Sequence, residues 1–285
     1  VRIAIIGLGL IGGSIGLALK QVHWRRAEIT GYARRQETAA WAVKAGAIDK
    51  IELDCGRAVN GADITIVATP VMAVREIFRS IAPHLSDGAI VTDTASTKVQ
   101  VMQWAKEILP PKINFVGGHP MAGKEVSSIK AATADLFKGC AYCMTPLAKI
   151  NLAALRTIKE MVKAFGANPL VIEAKEHDRL VAGISHLPLL ISVALVLATT
   201  KNKSWPRMSR LASSGYRDLT RLASSNPEVS AHICLSNQAA IASWIDIYIE
   251  ELRKLQKLIT DGSEDIEQIL SIANEARQEW LDKRH

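Results

Sequence analysis

Six residues, Gly7-Leu8-Gly9-Leu10-Ile11-Gly12, constrain the fold of this chain more than any other stretch. Residues 1–6 before them read as a buried strand, and residues 13–22 after them carry helical spacing. The G-x-G-x-x-G pattern has a mechanical meaning only in that context of strand, glycine turn and helix. Gly7 makes the tight turn, Gly9 lets the backbone approach a pyrophosphate, and Gly12 lets the helix pack against the strand. The helix N-terminus after the glycine loop, in which Leu10 and Ile11 lie, then faces the phosphates. Gly7, Gly9, Leu10, Ile11 and Gly12 are therefore candidate residues for holding a dinucleotide.

A second strand is expected at residues 28–32, ending in Ala33-Arg34-Arg35-Gln36. An NAD site usually has an acidic residue here for the ribose 2′-hydroxyl. Two arginines stand in its place, suited to a 2′-phosphate, so NADP is the expected cofactor. Alternation continues with helix at 38–45, strand at 63–68 ending in Thr69-Pro70, and helix at 72–81. Strand at 89–92, helix at 99–109 and strand at 113–116 follow. Thr69 and Pro70, at a strand's carboxyl end, join the cofactor candidates. This order predicts an α/β fold with a doubly wound, mostly parallel, Rossmann-like sheet.

After residue 147 the character changes to helix, apart from a short strand candidate at 169–172. The expected division is a dinucleotide-binding domain at 1–147 and an all-α domain at 151–285, for substrate and dimerisation. Residues 180–198 are apolar enough to raise a membrane span, but the charged start at 175–179 and Ser185-His186-Leu187-Pro188 favour a buried helix. Such a helix needs partners on every side, which points to an intertwined homodimer, with a kink at Pro188. Further helices are expected at 205–223, from Pro227 to about residue 259, and at 263–282.

The net charge of +7 is mild and scattered. It suits a small anionic substrate, and without a basic cluster interleaved with aromatics it argues against nucleic acid. Cys140 and Cys143 form a C-x-x-C within an alternating, strand-like stretch, which places the thiols on opposite faces. No second pair supplies a zinc site, so no metal is expected. Reduced thiols and the lack of a signal-peptide pattern at Val1 point to the cytoplasm.

Gly117-Gly118-His119-Pro120-Met121-Ala122-Gly123-Lys124-Glu125 reads as a loop at a strand's carboxyl end, where open α/β sheets bind ligands. An imidazole there exchanges a proton near neutral pH, in the ordinary histidine range of about 6–7. With Gly7–Gly12, Asp93-Thr-Ala-Ser-Thr-Lys98, Gly118-His-Pro-Met-Ala-Gly123, Ser185-His-Leu-Pro188 and Gly215-Tyr-Arg-Asp-Leu-Thr-Arg221 in this order, the chain closely resembles the prephenate/arogenate dehydrogenase family of tyrosine biosynthesis.

The resemblance spans nearly the whole chain. It implies that His119 meets the substrate's ring hydroxyl and that Ser96 supports it. It also implies that His186 lies near the substrate, and that Arg221 grips a carboxylate with Arg217 assisting. One departure is Ser127-Ser128, where the family usually has Ser-Gly. The implied reaction is oxidative decarboxylation of prephenate or arogenate with NADP. Two rivals remain: another two-domain hydroxy-acid dehydrogenase, and a non-catalytic dinucleotide-binding protein.

Overall fold

The computed structural model describes residues 1–124, 128–147 and 151–283. The chain forms two compact units, Val1–Gln238 and Ala239–His285. In the first unit the elements run β1 (Arg2–Ile6), α1 (Leu10–Gln21), β2 (Glu28–Tyr32), α2 (Gln36–Lys44), β3 (Lys50–Glu52), α3 (Cys55–Val59), β4 (Ile64–Val67), α4 (Val71–Ile81), β5 (Ile90–Asp93) and α5 (Val99–Ile108). They continue with β6 (Asn114–Pro120), β7 (Ala141–Pro146), α6 (Leu152–Ala164) and β8 (Asn168–Val171).

The eight strands form one sheet in the order β3-β2-β1-β4-β5-β6-β7-β8. All neighbours are parallel except β6 and β7. The chain leaves β1 towards β2 and later returns to β1's other side with β4, so the sheet reverses direction at β1. Ligands of open sheets bind outside the carboxyl ends of the strands at such a point. Successive residues of β1 serve opposite faces. Ile3 and Ile5 join the core formed with Ile15 and Leu19, whereas Ala4 and Ile6 join that of Val74 and Phe78. Burial on both faces explains why β1 and β4 read as unbroken apolar runs.

Three expectations are corrected here. Gly117 to Pro120 are strand, not loop: β7 returns antiparallel and pairs Gly117 with Thr145 and His119 with Cys143. The sheet layer does not end at Leu147, because Ile158, Met161 and Val162 of α6 bury against its core and β8 pairs with β7. The short β3 and α3 carry too few residues to show a period, and were not expected. Cys143 lies on β7 with Cys140 just before it, and all four cysteines are free thiols.

The helical stretch begins with α7 (Ala174–Val181), one π-helical turn at Ala182–His186, and α8 (Leu187–Thr200). The element expected to kink at Pro188 instead carries that wide turn just before the proline. Proline has no N–H to give the carbonyl four residues back, and a π-turn is one way a helix accommodates such a defect. α9 (Trp205–Leu211), α10 (Ser214–Thr220) and α11 (Pro227–Ser236) follow. α12 (Gln238–Thr260) and α13 (Asp265–Asp282) make up nearly all of the second unit. The single helix expected from Pro227 onward breaks at Asn237, whose backbone has φ −138° and ψ 37°. Its side chain is drawn into a buried hydrogen bond, described below.

The continuous helix Ala174–Thr200 is long and apolar enough, by length and composition, to cross a membrane. Only 28% of its most apolar window is buried within the chain. Ile184, Leu197, Leu211 and Leu219 are likewise exposed on this part of the molecule.

Candidate active site

The glycine turn lies at the switch point. Gly7 adopts φ +104°, open to glycine alone at low cost, and its N–H donates to Tyr32 O at 2.9 Å. A Cβ on Gly7 would lie 2.5 Å from Ala68 O, and one on Gly12 would lie 1.9 Å from Gly7 O. The backbone is thus folded back on itself as no side chain would permit. Gly9 caps α1 without a side-chain hydrogen bond, and the first turn, with Leu10 and Ile11, holds no acidic residue. The leading N–H groups are left for an anion.

Thr69 sits beside Gly7, and its buried Oγ1 has no partner among the described residues. Pro70 caps α4. Arg34 and Arg35 are exposed in the turn after β2, and no acidic residue stands between Tyr32 and Gln36. The cradle fits the phosphates of a dinucleotide.

His119 ends β6 a few strands away, at the edge of a cavity of about 380 Å³. Ser96, Met121, Lys124, Ile184, Ser185 and Arg221 also line it. His119 Nδ1 lies 2.9 Å from His177 Nε2, and His177 Nδ1 lies 2.7 Å from Asp178 Oδ1. The Asp178 carboxylate accepts the backbone N–H groups of Lys98 (2.7 Å) and Val99 (2.9 Å), so it closes the N-terminal turn of α5. The Asn237 amide donates to Asp178 O at 2.8 Å and stands 3.3 Å from His186 Nδ1.

Beneath His119, the fully buried Lys98 ammonium is paired with Asp93 and donates to Gly118 O at 2.7 Å. Asp93 in turn accepts Gly118 N at 3.0 Å and Ala95 N at 2.8 Å.

Burial, with His177, Lys98 and His186 nearby, holds the His119 imidazole well below its ordinary range. Burial lowers His186 to about 4, against the attraction of Asp178. Burial also lowers the Lys98 ammonium, opposed by Asp93. His119 is therefore neutral at pH 7, and its proton uptake lies below the pH range of about 6–7 expected from sequence. Its Nδ1 is taken by His177, so Nε2 is the nitrogen left for a ligand. A neutral imidazole on a cavity that a guanidinium also lines suits the binding of an anion and the removal of a proton from it.

Ser96 shares the cavity but makes no hydrogen bond to His119 among the described residues. His186 is only 2% exposed and lies behind the cavity, not on it, because the π-turn presents Ile184 and Ser185 instead. Arg217 is exposed on α10 beside Asp218, 3.6 Å away, and does not line the cavity. Ser127 and Glu125 lie outside the described residues. Sequence reasoning missed the roles of Asp93, Lys98, His177, Asp178 and Asn237. Their only signal was the charged stretch before an apolar helix, and the acid and lysine flanking a serine-containing turn. Among the described residues no cluster could hold a metal.

A strand-glycine-helix cradle and a cavity-lining histidine on one sheet edge are the arrangement of a nucleotide-binding protein of the Rossmann-like class, with a titratable group beside the cradle. Two family models match: prephenate dehydrogenase, nucleotide-binding domain, over residues 15–171, and prephenate dehydrogenase, dimerization domain, over residues 173–274. The chain belongs to the prephenate dehydrogenase family. It is 36% identical to the prephenate dehydrogenase of Bacillus subtilis over 259 residues, covering 90% of this chain and 70% of that one. The structure of prephenate dehydrogenase from A. aeolicus with hydroxyphenyl propionate and NAD+ matches with TM-score 0.91 at 28% identity, covering 98% and 97% of the two chains. Synechocystis arogenate dehydrogenase matches with TM-score 0.84 at 31% identity, covering 98% and 100%.

The depressed His186 value sets an acid limit on stability. Neutral in the fold and ordinary, about 6.5, when unfolded, His186 contributes stability that is complete above that value and is lost as pH falls towards about 4. The loss at pH 5 is about 2 kcal/mol. His119 acts in the same direction. Thermal unfolding should show Tm falling between pH 7 and pH 5, with a shallower fall in His186→Gln. An unchanged slope in that variant would contradict the assignment.

Proposed function

We propose that this chain catalyses oxidative decarboxylation of prephenate or arogenate, with His119 as the base at the ring hydroxyl. The observation that carries the proposal is the neutral His119 imidazole, with Nε2 left for a ligand, on a cavity shared with Arg221. Nε2 takes the hydroxyl proton as the ring carbon becomes a carbonyl. The ring carboxylate leaves as carbon dioxide, its bonding electrons completing an aromatic ring. The product is 4-hydroxyphenylpyruvate from prephenate, or tyrosine from arogenate. Arg221 holds a substrate carboxylate with its planar guanidinium. Ser96 faces the same space and offers a hydroxyl to the substrate oxygen. The cradle at Gly7, Gly9 and Gly12, with Thr69 and Pro70 alongside, holds a pyridine dinucleotide, which supplies the hydride acceptor.

NADP is the cofactor we propose, on the exposed arginines Arg34 and Arg35 and the missing acid after β2. Charge-assisted bonds to a 2′-phosphate contribute about 1.5–3 kcal/mol. Absorbance of the reduced cofactor, followed with each substrate and each dinucleotide, should show turnover favouring NADP. Arg34→Ala should raise KM for NADP far more than for NAD. Equal use of both by the unmutated protein sinks the cofactor assignment, and no turnover with either substrate sinks the reaction.

We further propose a cytoplasmic homodimer built by the helical part, with the apolar Ala174–Thr200 helix in the interface. Its exposed Ile184 and Leu197, and the matching dimerization-domain family, support this reading. Sedimentation at micromolar concentration should give twice the 31.0 kDa chain mass, and a clean monomer would refute it.

For the base, His119→Asn should keep substrate and cofactor affinity while kcat falls by about 10²–10⁴-fold. The rising limb of the kcat/KM profile should lie below the ordinary histidine range and vanish in the variant. A limb that survives the substitution places the base elsewhere.

A further inference from the structure

We propose that His177 and Asp178 are positioning residues that fix His119 in its Nδ1–H tautomer, leaving the Nε2 lone pair for the substrate. The inference starts from Asp178. Each of its carboxylate oxygens accepts a backbone N–H at the start of α5, Lys98 on Oδ1 and Val99 on Oδ2. A carboxylate used in this way is an acceptor only. His177 Nδ1, 2.7 Å from Oδ1, must therefore carry the hydrogen. With His177 as the neutral imidazole, which has one donor nitrogen and one acceptor, its Nε2 accepts. Its partner at 2.9 Å is His119 Nδ1, which must then donate. His119 Nε2 is left unprotonated.

The chain of bonds is buried at its far end. His177 and Asp178 are 1% and 3% exposed, and the two imidazoles meet edge to face with centroids 5.1 Å apart. Asp178 is pinned from a third side by Asn237, which donates to its backbone carbonyl. The alternative tautomer of His119 would set two lone pairs against each other, or force His177 to face the carboxylate without its hydrogen. With His177 and Asp178 buried, neither loss is made good by solvent at their end of the chain. When His119 takes a proton, the new charge stands one imidazole away from the Asp178 carboxylate, where attraction is little screened. His177 and Asp178 touch neither the cavity nor the cradle, so they act through His119 alone.

The proposal rests on reading His119 as the base, but tautomer and turnover are measured separately. Long-range proton–nitrogen spectra of the 15N-labelled full chain report which ring nitrogen bears hydrogen, with the His119 signals identified by their loss in His119→Asn. The unmutated protein should show Nδ1 protonated and Nε2 bare. In Asp178→Asn, the carboxamide oxygen can still accept a helix N–H while its NH2 donates to His177 Nδ1. That reverses both tautomers, so His119 should move to its Nε2–H form, and kcat should fall by about 10²–10⁴-fold with KM within a few-fold.

Should Asp178→Asn not fold, the spectrum of the unmutated protein and a second pair of variants carry the test. His177→Gln keeps an acceptor for His119 Nδ1–H and should retain at least tenfold more kcat than His177→Leu, which offers none. An Nε2–H signal in the unmutated protein overturns the proposal, as does equal kcat in the two His177 variants. Absence of turnover with either substrate fails the reading of function instead, and the spectrum still decides the tautomer.

Discussion

The ion pair between Asp93 and Lys98, fully buried at the ends of β5 and α5, organises the chemical half of this molecule. Two opposite charges out of water hold only where their remaining bonds are met, and removing one partner from such a pair costs about 3–5 kcal/mol. Here the remaining hydrogen bonds go to the backbone of Ala95 and Gly118, the neighbours of Ser96 and His119. Asp93 and Lys98 grip both the N–H and the carbonyl of Gly118, the residue before His119. The same lysine gives its backbone N–H to Asp178, on the first helix beyond the sheet. One pair thus fixes where the strand ends, where the helix begins and where the helical stretch docks.

The helical stretch repays that docking with its irregularities. A regular helix from residue 174 to 200 would distribute its side chains at an unbroken 3.6 period. The π-turn at Ala182–His186, set just before Pro188, shifts that register, so that Ile184 and Ser185 reach the cavity while His186 turns inward. Asn237 breaks another helix for a comparable reason, because its amide goes to the carbonyl of Asp178 and towards His186. Both departures occur where helices meet the edge that carries His119, and π-bulges are frequent at functional sites.

Cofactor and substrate ends share one architectural fact, the carboxyl edge of a sheet that reverses at β1. The cradle after β1, Thr69 after β4, Asp93 at the end of β5 and His119 at the end of β6 are brought to one edge because these strands are parallel. The antiparallel β7 then covers the far side of β6 and makes strand of what would otherwise be loop. His119 gains a strand partner in Cys143 on one side, and the residue before it, Gly118, is held by Asp93 and Lys98 on the other.

The sequence alone determined whatever depends on neighbours in the chain. Gly7 and Gly12 had to be glycine for a turn within six residues, and the β1–α5 alternation, the short β3 and α3 apart, was readable because apolar period and turn residues are local signals. The basic turn at Arg34 and Arg35 was legible for the same reason, and so was the family resemblance, carried by short motifs in order. Tertiary structure decided what depends on residues far apart. His119 meets His177 across 58 positions, and Lys98 meets Asp178 across 80, separations at which no period or spacing carries information. His186 sits in a motif as recognisable as that of Arg221, and Arg217 in the same motif as Arg221, yet of these three only Arg221 reaches the cavity, because helix register and the π-turn choose which side chain points where. Burial likewise moved the His119 and His186 imidazoles below their ordinary range, since desolvation belongs to a packed interior and to no residue by itself.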